Sequence, residues 1–396
     1  MIRVSVNIKD IENKNKLAIV VVGYNRLDSI KRILRSLENA IYPCEAPLVI
    51  SIDASGYQEL YDYVNVFEWK HGTKYVIIKE KRMGLRNHIL SCGDLTKYFR
   101  GVIILEDDVF VSPYFYNYSI ECINKYDSED RVSGISLYRP CMDCDLPIDY
   151  VVDGNDTFAY QNVESWGECW TERMWKQFRE WYNDTPDHNF SNIDMPERMK
   201  NWEKAWSKYY MAFQIETGRY FVYPSVSHTT CFSEAGEHGF ASTIGQTILL
   251  SGEKKYDIKP FEALTKYDIY GTNHDIYEWM NMSEDELCVD FNGTNSNNKH
   301  CRYILSPYKY PYKVIREFAL ALRPIELNIK YGLSGKGLYL YDTENASYKN
   351  ISKEYTTILA YYQIREFNIR SLYKYVYSYT KELLLRKINS MLRKRK

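Results

Sequence analysis

The stretch GVIILEDDVFVSPYFYNYS, residues 101–119, sets a continuous apolar run directly against three consecutive carboxylates, Glu106, Asp107 and Asp108. An apolar run without polar alternation is the mark of a strand buried on both faces. Three adjacent carboxylates repel one another and make poor strand-end residues without a counter-charge. A divalent cation supplies one: carboxylate oxygens suit Mg2+ or Mn2+, and such ions are commonly completed by substrate phosphates. Successive side chains of an extended chain point to opposite sides, so the three cannot all share one ion. One would bind metal and the others would meet other parts of a ligand. The competing reading is a solvated acidic turn; the position directly behind a buried strand favours the metal.

Working outward, LAIVVVGYN (17–25) reads as another doubly buried strand, PLVISIDAS (47–55) as a second and KYVIIKEK (74–81) as a third, with GVIILEDD the fourth. Ile30, Ile33, Leu34 and Leu37 share one helical face behind a cap at Asp28 or Ser29, and 84–99 can form a further helix. Ser112 and Pro113 occupy the N-cap and N1 positions of the helix that follows the acidic triplet. This alternation predicts an α/β fold, a mostly parallel sheet covered by helices. Ligands of such sheets bind beyond the carboxyl ends of the strands. Asn25, Arg26, Asp53 and the triplet fall there.

Composition narrows the function. The 396 residues suffice for one large domain or two smaller ones, and 51 basic against 52 acidic residues disfavour a general nucleic-acid binder. MIRVSVNIKDIENKNKLAIVVV lacks the apolar stretch of a signal peptide, and no run of eighteen apolar residues suggests a membrane span. The nine cysteines are scattered. Cys141 and Cys144 form one CxxC without a second pair at metal spacing, which favours free thiols over structural zinc. A cytoplasmic, reduced chain is expected. FNGTNSNNKH (291–300) is polar and linker-like, dividing an expected domain at 1–290 from a tyrosine-rich, basic, helical extension at 301–396. From residue 361 onward, basic residues from Arg365 to Lys396 are opposed only by Glu366 and Glu382, with Leu372, Val376, Leu383 and Leu384 interspersed at roughly helical spacing. Such a helix lies on an anionic membrane surface, or it packs on the domain with a solvated basic face.

The segment LEDDVFVSPYFYNY resembles the acidic signature of the N-acetylglucosaminyltransferase I family and of bacterial glycosyltransferases with the same nucleotide-sugar domain, the Rossmann-like GT-A fold. VVGYNRLDSIKRIL is similar to the family's first strand and Asn-Arg turn. SIDASG resembles the strand-end aspartate segment, SWGECWTERMW the tryptophan-rich acceptor segment, NWEKAW a later Trp-acid segment, and EAGEHG a loop that closes over the donor. Together these cover roughly residues 17–245 in the family's order. The resemblance implies a metal-dependent, inverting glycosyltransferase using a UDP-sugar. Asp108 would ligate Mn2+ (or Mg2+), Asp107 would contact the ribose, Glu106 the sugar and Asp53 the uracil. Arg26 would lie against the nucleotide or diphosphate, with Arg86 as a second diphosphate partner. The acceptor would be a glycan or lipid-linked sugar in bacterial surface polysaccharide synthesis (capsule or O-antigen), reached at the cytoplasmic membrane face.

The acceptor hydroxyl must lose a proton as it attacks, which needs a carboxylate opposite the leaving phosphate. Glu203 in NWEKAW matches the family's acid, which is often aspartate, so this chain departs by one methylene. Glu164 and Glu168, beside Trp166, are the alternative bases. Flat aromatic faces stack on sugars and also fill cores. Trp166 and Trp202 flank the candidate acids and are read as acceptor contacts; Trp170, Trp175, Trp181 and Trp206 are read as packing. SHTTCFSEAGEHGFAST (227–243) reads as a mobile loop able to exclude water on closing, and its His238 either reaches the diphosphate or metal, or is solvated. Two other functions compete. A sugar-nucleotide nucleotidyltransferase expects a glycine-rich phosphate loop that VVGYNRLDS lacks, and a non-catalytic glycan-binding module would tolerate loss of the intact triplet.

Overall fold

The computed structural model describes residues 13–143, 146–184, 189–203, 205–232, 248–295, 301–347, 354–364 and 369–393. Strand β1 (Asn13–Gly23), helix α1 (Leu27–Glu38), β2 (Leu48–Ile52), α2 (Gln58–Val66), β3 (Lys74–Ile78), α3 (Leu85–Gly93) and β4 (Phe99–Glu106) alternate along the chain as the apolar runs require. The strands pair in parallel in the order β3-β2-β1-β4. Residues 17–22 of β1 and 48–52 of β2 are all buried, because helices cover both faces of a parallel sheet. Helix α1 begins at Leu27 with Arg26 as its N-cap residue. Asp28, expected as a cap, lies in the first turn, where its charge faces the positive end of the helix dipole.

Beyond the triplet come β5 (Val109–Val111), α4 (Phe115–Tyr126), β6 (Val132–Ser136), the short pair β7 (Met142–Asp143) and β8 (Leu146–Pro147), β9 (Thr157–Tyr160), β10 (Glu168–Thr171), α5 (Glu172–Asp184), α6 (Glu197–Lys200), α7 (Trp206–Thr217), β11 (Tyr220–Pro224), β12 (Thr229–Cys231) and β13 (Lys266–Tyr267). Tyr114, not Ser112, is the N-cap residue of α4. Among the described residues these strands complete a nine-stranded sheet, β13-β9-β11-β6-β10-β4-β1-β2-β3. Strand β10 runs antiparallel to both β4 and β6, and β9 antiparallel to β11; the remaining pairs are parallel. The sheet is thus mostly parallel and flanked by helices. Trp170, Trp175 and Trp206 are almost wholly buried in one aromatic cluster with Phe178 and Tyr210. Trp181 is half-buried and donates to Glu216 at 2.9 Å.

A second core forms around Ile276, Leu287, Val289, Leu305, Phe318, Leu338 and Leu340. It joins α8 (Asp275–Met280), β14 (Leu287–Val289), β15 (Tyr303–Ser306), β16 (Tyr312–Ala319), α9 (Leu327–Lys330) and β17 (Gly337–Ala346), with sheet order β14-β15-β17-β16. Strands β14 and β15 pair directly across the polar 291–300 segment, and the second core includes Ile276, upstream of that segment. The extension expected to be helical opens with this sheet. The reason is period-two patterning: Leu338 and Leu340 face one core while Tyr339 and Tyr341 face another. Helices α10 (Tyr355–Ile364) and α11 (Ile369–Arg393) follow.

Candidate active site

Strand β4 ends at Glu106, level with Val22 of β1, and delivers the triplet beside the turn that carries Arg26. Arg26 grips both aspartates: Nε donates to Asp107 Oδ2 at 3.2 Å, Nη2 to Asp107 Oδ1, and Nη1 to Asp108 Oδ2 at 3.0 Å. The guanidinium supplies the counter-charge that the sequence demanded. Burial nevertheless pushes Asp107 up to about 6, against the lowering by Arg26. Glu106 lies beyond the guanidinium's hydrogen bonds. Burial, then the charges of Asp108 and Asp107, raise it to about 8. The turn is fixed from the other side by the β5–β12 ribbon, with Phe232 N–H donating to the Asp108 carbonyl at 2.9 Å. Residues 228–231, expected in a mobile loop, are therefore built into the fold. His228 is buried and stacked on Tyr118 at 4.5 Å, and Thr229–Cys231 pair with β5. His238 lies outside the described residues.

Asp53, at the end of β2, is 4% exposed. Its Oδ1 accepts from Ala54 N and Met83 N, both at 2.9 Å, and its Oδ2 from Gly84 N at 3.0 Å. Expected against a uracil ring, it here braces the turn into α3. Gly84 holds φ 74°, a conformation that favours glycine. Two residues on, Arg86 lies over the Tyr209 ring at 4.4 Å, donates to the Tyr209 hydroxyl at 3.0 Å and also to the Glu203 carbonyl. Arg86 thus ties the strand-end turn to the NWEKAW segment through that segment's backbone.

The Glu203 side chain is exposed. Glu164 instead lines a cavity of about 320 Å³, together with Asn162, Ser165, Trp166, Arg198 and Trp202. Asn162 donates to Glu164 Oε1 at 3.0 Å, and Tyr223 O–H donates to the Asn162 carbonyl at 2.9 Å. Trp166 meets Tyr138 edge-on at 4.5 Å, while Thr229 O–H donates to its carbonyl at 2.6 Å. Ser165, on the cavity wall, stands close enough to Glu106 to lower its pKa. Cavity and acidic turn are therefore neighbours. Glu168 stands opposite Ile104 on β4 and is 1% exposed, with one carboxylate oxygen unpartnered. Burial, then the nearby Glu106 and Glu164 charges, hold its pKa well above the usual carboxylate range.

No family model matches the chain, and no curated protein matches it. Solved structures to which it is similar include S. aureus TarS 1–349 in complex with UDP-GlcNAc, at 15% identity and TM-score 0.36 over 56% of this chain and 60% of that one. A second is the mannosyltransferase PcManGT from Pyrobaculum calidifontis in complex with GDP-Man and Mn2+, at 12% identity and TM-score 0.34 over 55% and 60%. A third is GalNAc-T7 with UDP, GalNAc and Mn2+, at 14% identity and TM-score 0.34 over 55% and 43%. The chain spans 60% of the length of the first two structures and 43% of the third. No residue role is carried over from them.

The donor set suits a hard cation completed by phosphate oxygens. Asp108 offers a carboxylate at the rim, its side chain 14% exposed. Among the described residues, no three His, Cys, Asp or Glu side chains converge into a cage made by protein alone. Asn162, Ser165, Tyr209 and Thr229 carry no signal of a site in the sequence. Polar residues of that kind are common, and only the fold brings them to the site: Thr229 by the pairing of β12 with β5, Tyr209 on α7, and Asn162 and Ser165 between β9 and β10.

Proposed function

We propose that the chain is a GT-A-type, inverting glycosyltransferase that moves a sugar from a UDP-sugar to a glycan or lipid-linked acceptor in bacterial surface polysaccharide synthesis, such as capsule or O-antigen. One observation carries the reading: an arginine-clamped acidic turn at the carboxyl end of a parallel strand adjoins a cavity lined by Trp166, Trp202 and Glu164. Asp108 holds Mn2+ or Mg2+ together with the donor phosphates. When bound, the ion supplies Lewis-acid charge to the departing diphosphate. Arg26 shifts from the aspartates toward the phosphate oxygens, where its fork matches their geometry. Asp107 meets the nucleoside, Glu106 the donor sugar and Arg86 the diphosphate end, while Asp53 braces the turn behind them.

On the acceptor side, Trp166 and Trp202 stack on a sugar ring. Glu164 accepts the proton of the attacking hydroxyl while Asn162 holds its other oxygen. Glu164 is preferred to Glu203 because it lines the cavity, whereas Glu203 points its carboxylate to solvent and uses its carbonyl to hold Arg86. Glu168 is buried in β10, where burial raises its pKa, and it supports the site rather than acting as base. A panel of UDP-sugars with Mn2+ tests the reaction class by release of UDP. Glu164→Gln should spare UDP binding and cut transfer by about 10²-fold or more, the range of general-base catalysis, with Glu203→Gln near the parent rate. The opposite ranking would assign the base to Glu203. Absence of any metal-dependent UDP binding would remove the transferase reading altogether.

A further inference from the structure

Helix α11 spans 25 residues, Ile369–Arg393. On a 3.6-residue repeat, Leu372, Tyr373, Val376, Tyr377, Leu383 and Leu384 fall on one side, which Lys387 closes at its C-terminal end, and Arg370, Lys374 and Lys381 fall along its edge and beyond, beside Leu385. A helix packed on its own domain buries its apolar side. Here Tyr373, Val376, Tyr377 and Leu384 are 73%, 53%, 64% and 57% exposed. Every described side chain from 373 to 387 is exposed, on both sides of the helix. From Tyr373 to Leu384 the apolar stripe is uncovered, the condition that marks an interaction surface.

Charge selects the partner. Within 369–393 the sequence sets Arg370, Lys374, Lys381, Arg386, Lys387 and Arg393 against one acid, Glu382, while the whole chain has a net charge of −1. The excess is local and calls for an anionic partner. A second copy of the same helix would bring like charges together. The tyrosines fit an interface that is apolar below and wet above, the level at which such rings settle in lipid headgroups. Among the described residues, no helix is long and apolar enough to cross a membrane. We propose that α11 lies in the plane of an anionic lipid bilayer, its Val376–Leu384 stripe at the acyl boundary and its lysines and arginines among the phosphates.

The test uses the full chain and flotation with phosphatidylcholine vesicles, with and without phosphatidylglycerol. The protein should float with the anionic vesicles only, and less so as salt rises. Lys374→Glu and Lys381→Glu should each weaken partitioning by about fivefold or more. The pair Val376→Ser and Leu384→Ser should weaken it at unchanged charge. Circular dichroism and turnover of a soluble acceptor should match the parent, since among the described residues none of α11 lines the cavity or the acidic turn. A parent that stays unbound, or variants that float as the parent does, would overturn the proposal. So would a lipid-free dimer that Val376→Ser dissociates, which would make the stripe an interface between copies.

Discussion

Arg26 connects sequence, fold and chemistry at the scale of one side chain. It stands at the end of β1, and its fork closes on two carboxylates delivered by β4. On the proposed reading, the guanidinium occupies the electrostatic position that a cation and a diphosphate would share. Arg26→Ala should therefore have two opposite effects. Mn2+ affinity without nucleotide should rise, because both aspartates lose their competitor. UDP affinity without metal should fall by about tenfold, the worth of a charge-assisted hydrogen bond. Calorimetry with Mn2+ alone and UDP alone separates the two; a fall in both would mean that Arg26 organises the turn instead of competing for it. Arg26 and the triplet were legible in the sequence because each abuts an apolar run that fixes its place at a strand end. The partnership of Glu164 with Trp202 was not, because it depends on how α6 folds back toward β10. The adjacency of Trp202 and Glu203 in sequence suggested the neighbouring carboxylate instead.

Elements were legible where burial imposes a continuous pattern. Strands β1, β2 and β4 read as apolar runs because helices cover both their faces. Strand β10 (ECWT) carries no such run, and its antiparallel insertion between β4 and β6 follows from tertiary pairing alone. The segment that follows it, α5, packs Trp175 onto α3 so closely that Gly93 becomes obligatory. A Cβ built at Gly93 would lie 2.1 Å from the Trp175 ring, and the indole is held there by a 2.9 Å bond from its Nε1 to Asp94. Gly93 is helical, so alanine would otherwise be preferred in that conformation. Gly93→Ala should instead destabilise the protein by about 1–3 kcal/mol, the usual cost of overpacking. Urea unfolding measures it. Gly93→Ala combined with Trp175→Phe should recover part of the loss; no recovery would place the strain elsewhere.

Across the whole molecule, the C-terminal lobe meets the nine-stranded sheet through a small set of polar contacts. Arg323 forks onto Asp149 at 3.0 and 3.3 Å, and Tyr267 at the sheet edge donates to Glu326 Oε1 at 3.0 Å. Glu326 is 3% exposed, and burial raises its pKa from 4.5 to about 7, against the lowering bonds from Tyr267 and Asn273. The sign of the consequence follows from proton counting. Below about pH 4.5 folded and unfolded chains both hold the proton. Between about 4.5 and 7 the unfolded chain releases it and the folded chain keeps it, so stability falls as pH rises; above about 7 the loss is complete. The shift corresponds to about 3 kcal/mol. Glu326→Gln keeps an acceptor for Tyr267 and never ionises. It should match the parent in acid and exceed it by about 2–3 kcal/mol above neutrality, read as the difference between urea midpoints across pH. Glu106 and Asp107, raised to about 8 and about 6, contribute their own slopes to both proteins and cancel in that difference. If parent and variant keep the same separation at every pH, Glu326 titrates alike in the folded and unfolded chains, and the contact does not depend on a neutral carboxyl.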